Sequence, residues 1–289
     1  MNWKQTLFWS FSAAAIFYYF LLFGVFVFVG QEEMQLFIPE WWYIREFLFQ
    51  PGGFCAVAGQ WIIQYYRQPM SAVVFHTVLL VGCGFMVYRI LRCFSDKTYL
   101  LFLSLLPVLY LVKMSIHGEY LVDGTVGVVL MLLALSVSLK VRRAGSIAGY
   151  GIASTLFLCG LTGFLSVCYA FLYTLLALLR YKTSRQRLAA SACLIPALFI
   201  YLFSGWLGIP VPLSDGWMPE AYLEIQRLPH YYMYRVWTFF TLSIVGVALF
   251  ARFVPVIGEK SKWMDRVALV VCLITVLVSI RFCLPEPWH

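Results

Sequence analysis

Long apolar runs separated by short polar breaks recur from one end of the chain to the other. Runs at 7–29, 70–91, 99–113, 121–139, 146–161, 164–179, 188–207, 236–251 and 267–284 are almost free of charge. A helix needs ~20 apolar residues to cross the hydrocarbon of a bilayer, and most of these runs approach that length. Backbone groups in lipid find no water to bond, so such runs are expected as helices. The pattern predicts an all-α, polytopic transmembrane bundle of about nine spans, a single transmembrane domain over 1–289. The stretch 146–179 is too long for one span and short for two. Gly160, Thr162 and Gly163 place a turn in its middle, which predicts two short helices screened from lipid by neighbours.

One segment fits neither the apolar runs nor the polar breaks. Residues 31–69 read QEEMQLFIPEWWYIREFLFQPGGFCAVAGQWIIQYYRQP. The segment is too broken by proline and glycine to span, and too aromatic for a solvated loop. Pro39 and Glu40 suit the first turn of a helix and its positive end. On a helical wheel Glu40, Tyr43, Glu46 and Gln50 share one stripe, while Phe37, Trp41, Ile44 and Leu48 gather opposite. Pro51, Gly52 and Gly53 then stop the helix. That pattern predicts a helix over 39–50 lying in the membrane interface, with Trp41 and Trp42 at headgroup depth. Arg45 falls in the apolar arc, where its stem can snorkel or its charge can meet Glu32 or Glu33.

A second short helix, 54–66, ends at Pro69. Its Ala56, Ala58 and Gly59 permit a close approach to another backbone, and its Tyr65 joins the tryptophans as a lipid- or partner-contacting ring. The two helices are expected to form a shelf over the outer mouth of the bundle. A second outer loop, 205–235, carries an Asp215-Gly216 turn, a short amphipathic stretch PEAYLEIQRL and an aromatic belt from His230 to Trp237.

Composition agrees with the apolar pattern: 62% of residues are hydrophobic and 12% charged, against ~25% charged in a soluble domain. The net charge of +8 would suit an acidic partner if it were spread evenly. It is not. With the N-terminus inside, the clusters at 140–143, 180–187 and 252–266 all fall on the cytoplasmic side, together with Arg89, Arg92 and Lys97, while most acids fall outside. This is the positive-inside bias, so the basic balance reports topology and not nucleic acid. Phosphate-loop and dinucleotide fingerprints are absent as well. The first apolar run is too long for a signal peptide and no small-x-small site precedes Gln31, so it is expected to stay attached. The eight cysteines form no CxxC pair and read as small packing residues.

Candidate chemistry gathers on the outer side. Glu32 and Glu33 cap the first span, where a carboxylate at the membrane surface can act as a base or hold a cation against lipid phosphates. Between the third and fourth spans, Lys113, His117, Glu119 and Asp123 crowd together. Charged groups at membrane depth cost ~2.5–3.5 kcal/mol to insert, so pairing, a solvated hairpin tip or a functional cavity is expected there. The candidate catalytic residues are Glu32, Glu33 and Glu119. Trp41, Trp42, Arg45, Tyr65, Lys113, His117 and Asp123 are the candidates for touching lipid or a partner. No metal set is assigned and no cofactor is implied. His76, within the second span, and Arg281, near the end of the last, read as packing or snorkelling residues.

The string Gln31 to Phe37, then Pro51-Gly52-Gly53, then Gln64-Tyr65-Tyr66 with Pro69, resembles an uncharacterised family of bacterial inner-membrane proteins, a domain of unknown function. The resemblance implies a location in the bacterial cytoplasmic membrane and transfers no activity. Members tend to be longer, with a further extracytoplasmic portion, so this chain is expected to be a short relative or a truncated copy. A looser similarity links Glu32 and Glu33 to polytopic glycosyltransferases that use polyprenyl-phosphate sugars, which place an acid just after the first span.

Three functions follow: a subunit or scaffold of a membrane complex, an enzyme using a lipid-linked donor at the outer face, and a transporter. The transporter reading is disfavoured by the few charges within spans and the lack of an inverted repeat. The topology has a direct check. Reporter fusions after Lys182 and at His289 are expected to read cytoplasmic and extracytoplasmic respectively; the same side for both would sink the nine-span count.

Overall fold

A computed structural model describes residues 3–34, 37–96, 99–116, 120–203 and 228–258. Among these residues there are helices and turns and no strand. The first apolar run forms α1 (Trp3–Phe23) and α2 (Val25–Met34), separated at Gly24. The segment 31–69 supplies α3 (Trp41–Leu48), α4 (Gly53–Ile63) and a 3₁₀ turn over Gln64–Arg67. Then come α5 (Pro69–Leu91), the short α6 (Leu100–Leu103) with α7 (Leu105–Ser115), α8 (Val122–Ser138), α9 (Ala144–Thr162) and α10 (Leu165–Arg180). The described chain finishes with α11 (Ser184–Ser191), α12 (Leu194–Leu202) and α13 (Leu228–Gly258).

Three helices are long and apolar enough to cross a membrane, at Gln5–Phe23, Pro69–Leu91 and Ala144–Thr162. Shorter apolar helices lie at Leu100–Ser115, Val122–Ser138, Leu165–Arg180 and Val236–Arg252. The run 146–179 is two helices, divided at Gly163, whose φ of 61° closes α9. The last apolar run, 267–284, and the loop through residue 227 lie outside the described residues. The chain is already helical from Leu228, well before the apolar run at 236 begins. Pro229 does not prevent this, because proline is tolerated in a first turn.

Helix α5 packs against α1, α2, α7 and α8, and α10 against α8, α9, α12 and α13. Large rings fill the space between them, with Phe20, Phe28, Tyr66, Tyr120, Tyr169, Tyr173 and Phe240 fully buried. Several buried hydroxyls are satisfied within their own helix: Thr77 donates to Val73 O at 2.7 Å, Ser115 to Leu111 O at 2.8 Å and Thr155 to Gly151 O at 2.8 Å. Such back-bonding needs no water, which lets polar residues sit in an apolar bundle. Facing outward are Leu7, Phe11, Leu22 and Phe26 of the first two helices and Ile195, Leu198 and Leu202 of α12. Exposed apolar surface on this scale is what a lipid-facing wall presents.

The helix ends sort into two groups. At one end, Tyr181 Oη donates to Val141 O at 2.7 Å and Gln186 Nε2 to Arg142 O at 2.7 Å, so the basic turns 140–143 and 180–187 adjoin. At the other end, α4 is sunk into the bundle against α8 and α9, with Gly53, Cys55, Gly59, Ile62 and Ile63 buried. Glycine makes this possible. Gly52 adopts φ 82° and donates its N–H to Gly160 O at 3.1 Å. A Cβ on Gly59 would lie 2.6 Å from Asp123 Cβ and 2.9 Å from Asp123 Cα.

Helix α3 has no buried residue and rests on α4. Tyr43, expected on the polar stripe with Glu40 and Glu46, turns inward and donates from its hydroxyl to Gln60 Oε1 at 3.1 Å. Glu40 and Glu46 stay exposed, while Tyr43 reaches down to α4. Glu40 stands at the N-cap of α3 without a side-chain cap hydrogen bond, so its carboxylate acts there through charge alone.

Gly59→Ala is expected to destabilise the protein by about 1–3 kcal/mol, since the added methyl meets backbone that cannot turn aside. Gly82→Ala, where nothing lies within 4 Å of the new Cβ, is the control and is expected to be neutral or stabilising. Thermal unfolding of the detergent-purified variants reads the difference.

Candidate functional site

The buried polar groups of the shelf end belong to elements far apart in sequence. Gln31, in the last turn of α2, is fully buried and donates from Nε2 to Tyr120 O at 3.0 Å. Tyr120 precedes α8 and is itself fully buried; its phenol oxygen accepts from Thr125 Oγ1 at 3.1 Å. Tyr66, on the 3₁₀ turn after α4, meets His76 of α5, with 2.7 Å between its hydroxyl and Nε2. The imidazole is sandwiched: Phe28 stacks on it at 4.3 Å and 10°, and Phe20 and Tyr66 each stand at 5.5 Å. Nδ1 of His76 is buried without a hydrogen-bond partner among the described residues.

Asp123 lies near enough for its charge to act on Cys55, Tyr66 and Tyr120, half-buried in the first turn of α8, where a carboxylate suits the positive end of the helix. Its Oδ1 accepts from Gly124 N at 2.6 Å. Burial, and after it the Asp123 charge, pushes the Cys55 thiol and the Tyr66 phenol above their ordinary ranges. Burial also raises Tyr120, against a smaller lowering from the Thr125 hydrogen bond. All three groups therefore stay neutral at physiological pH. A protonated, buried thiol is a packing group and a poor nucleophile.

Of the sequence candidates, Glu32 is half-buried in the last turn of α2, next to the Gln31 that ties this helix to Tyr120. Lys113 is half-buried in the last turn of α7. Trp41, Trp42 and Tyr65 are exposed, as is Arg45, whose guanidinium lies 5.7 Å from the Phe49 ring centre. His117, Glu119 and the side chain of Glu33 lie outside the described residues. Among the described residues no three His, Cys, Asp or Glu side chains converge as a metal site would require.

Gln31, Tyr66, Tyr120 and Thr125 are not among the sequence candidates, and His76 reads from sequence as a packing or snorkelling residue. Each is an ordinary member of an apolar or mixed run, and only the placement of α4 over α8 brings them together. The one available signal was His76 itself, a titratable ring within an apolar run, which requires a partner.

The family model for a family of unknown function, DUF6057, matches residues 1–283, and the chain belongs to that family. No curated protein and no solved structure matches it.

The Tyr66–His76 pair can be tested in isolation from any activity. Tyr66→Phe leaves Nε2 of a buried ring unsatisfied and is expected to cost about 1–3 kcal/mol. The double variant Tyr66→Phe with His76→Phe removes both partners and is expected to regain part of that loss. Chemical denaturation of the wild type, Tyr66→Phe, His76→Phe and the double variant in one detergent measures the coupling.

Proposed function

For a member of this family, we propose an inner-membrane protein of nine spans that serves as a subunit or scaffold of a membrane complex. In this reading the N-terminus is cytoplasmic, the C-terminus extracytoplasmic, and the shelf faces outward. The reading is supported by charge. The basic turns adjoin at one end, through Tyr181 to Val141 and Gln186 to Arg142, and basic loops stay on the cytoplasmic side. Helix α3 then lies at the outer interface with Trp41, Trp42 and Phe49 turned out, each more than 60% exposed, a depth that tryptophan favours.

The observation that carries the scaffold reading is how the polar groups at the shelf end are used. Gln31, Tyr66, His76, Tyr120 and Thr125 bond to one another or to backbone, and α4 meets α8 at backbone distance through Gly59. The groups that would serve a chamber instead hold a roof down. What the shelf offers its surroundings is a row of exposed rings, Trp41, Trp42, Trp61 and Tyr65, the residue types that anchor interfaces.

The alternative is an enzyme using a lipid-linked donor. It draws on Glu32 and on Asp123, a half-buried carboxylate set among neutral phenols, and would use either as a general base.

Two variants separate the readings. Trp41→Ser with Trp42→Ser is expected to reduce the native complex, sized in membranes solubilised with a mild detergent, to the free chain. Glu32→Gln with Asp123→Asn is expected to leave both the complex and the rescue of a deletion strain intact. Loss of rescue with the complex unchanged would transfer the assignment to the enzyme.

A further inference from the structure

At the basic end, α5 and α8 finish side by side and leave between them a cavity of about 230 Å³. Three cations border it, Arg89, Arg92 and Lys140, together with one acid, Asp96, and an apolar floor of Ile90 and Leu139. We propose that this cavity binds the phosphodiester headgroup of an anionic lipid. The inference goes beyond the scaffold reading and uses only its assignment of this end to the cytoplasmic membrane surface.

Charge decides the ligand's sign and size. Arg92 is engaged, with its guanidinium 3.0 Å from Asp96 in an exposed pair one helical turn apart, so the two cancel. Arg89 rests its guanidinium 6.0 Å from the Phe85 ring centre, and neither it nor Lys140 forms an ion pair among the described residues. Opposing these two charges are the C-terminal ends of α5 and α8, each worth roughly half a negative charge. Among the described residues about one positive charge is left over, which matches a single phosphodiester.

The cations alone have a plain explanation, since basic residues belong at helix C-termini and on cytoplasmic loops. The cavity and its floor are what that explanation omits. Ile90 and Leu139 are each 1% exposed, so the floor is fixed by the core. Apolar atoms make up most of the cavity's wall. A free inorganic anion gains nothing from such a floor. A glycerophosphate does, because its glycerol backbone and first acyl carbons must lie against something apolar while the phosphate stays at the rim. An arginine beside a lysine gives a planar donor pair plus a point charge, a set that fits two phosphate oxygens. Basic gaps between helix ends on the cytoplasmic side are suited to anionic headgroups on the same grounds.

The test uses the full chain in detergent, titrated with phosphatidylglycerol and with phosphatidylcholine and read by native mass spectrometry. Arg89→Gln with Lys140→Gln is expected to lower phosphatidylglycerol affinity by about thirty-fold and to leave phosphatidylcholine unaffected. Asp96→Asn frees Arg92 and is expected to raise phosphatidylglycerol affinity, a gain that misfolding cannot produce. Equal phosphatidylglycerol affinity in all three proteins overturns the proposal. Displacement of the lipid by inorganic phosphate at comparable concentration also overturns it, in favour of a soluble anion. Binding in detergent does not depend on orientation, so a reversed topology in the reporter fusions would refute the membrane assignment without touching this result.

Discussion

Everything at the shelf end depends on one backbone contact. Gly52 and Gly163 both take positive φ, 82° and 61°, and their backbones meet where the α9–α10 turn passes under the start of α4. The Gly52 N–H closes the contact on Gly160 O. Side chains at either position would be strained by conformation before any clash arose. With the two turns locked, α4 is held at a depth where Gly59 rides on Asp123 and the Tyr66 hydroxyl arrives at His76. If α4 were lifted by the width of a methyl group, those hydrogen bonds would have no donors in reach.

Polar residues in this bundle divide by whether they can satisfy themselves. Serine and threonine can bond the carbonyl one turn back, as Thr77, Ser115 and Thr155 do, and then need no neighbour. Glutamine, histidine and tyrosine cannot, so they must be matched across elements. Ser138 with Tyr169, at 2.6 Å, does this between α8 and α10; Gln31 with Tyr120 and Tyr66 with His76 do it at the shelf end. These matched pairs give direction to packing that apolar contact alone leaves free, since an apolar side chain is indifferent to which apolar neighbour it meets.

The same division explains what could be read from the chain. Apolar runs announce helices through composition alone, so α5, α8, α9 and α10 were legible, as was the turn at Gly163 from its glycines. The small residues of α4 announced a close approach, though not to which backbone. The matched polar pairs were hidden because each joins two elements, across 89 residues for Gln31 and Tyr120 and 10 for Tyr66 and His76, and no periodicity encodes either distance. Tyr43 was misplaced for a related reason. A wheel sorts residues by polarity, and a tyrosine hydroxyl is as well served by Gln60 as by water. The early start of α13 was obscured by Pro229 and the aromatic belt, both of which read as loop.

The sunken position of α4 also sets an order of events during synthesis. Its seat is built from Asp123, Thr162 and Gly163, all of which leave the ribosome long after α4 itself. Until α8 and α9 are in place, the glycine face of α4 has nothing to close on. Contacts this distant along the chain form late, because loop closure comes before they can return any stability. The segment between α2 and α5 therefore stays unlatched while the following helices are made, with Trp41, Trp42 and Trp61 exposed.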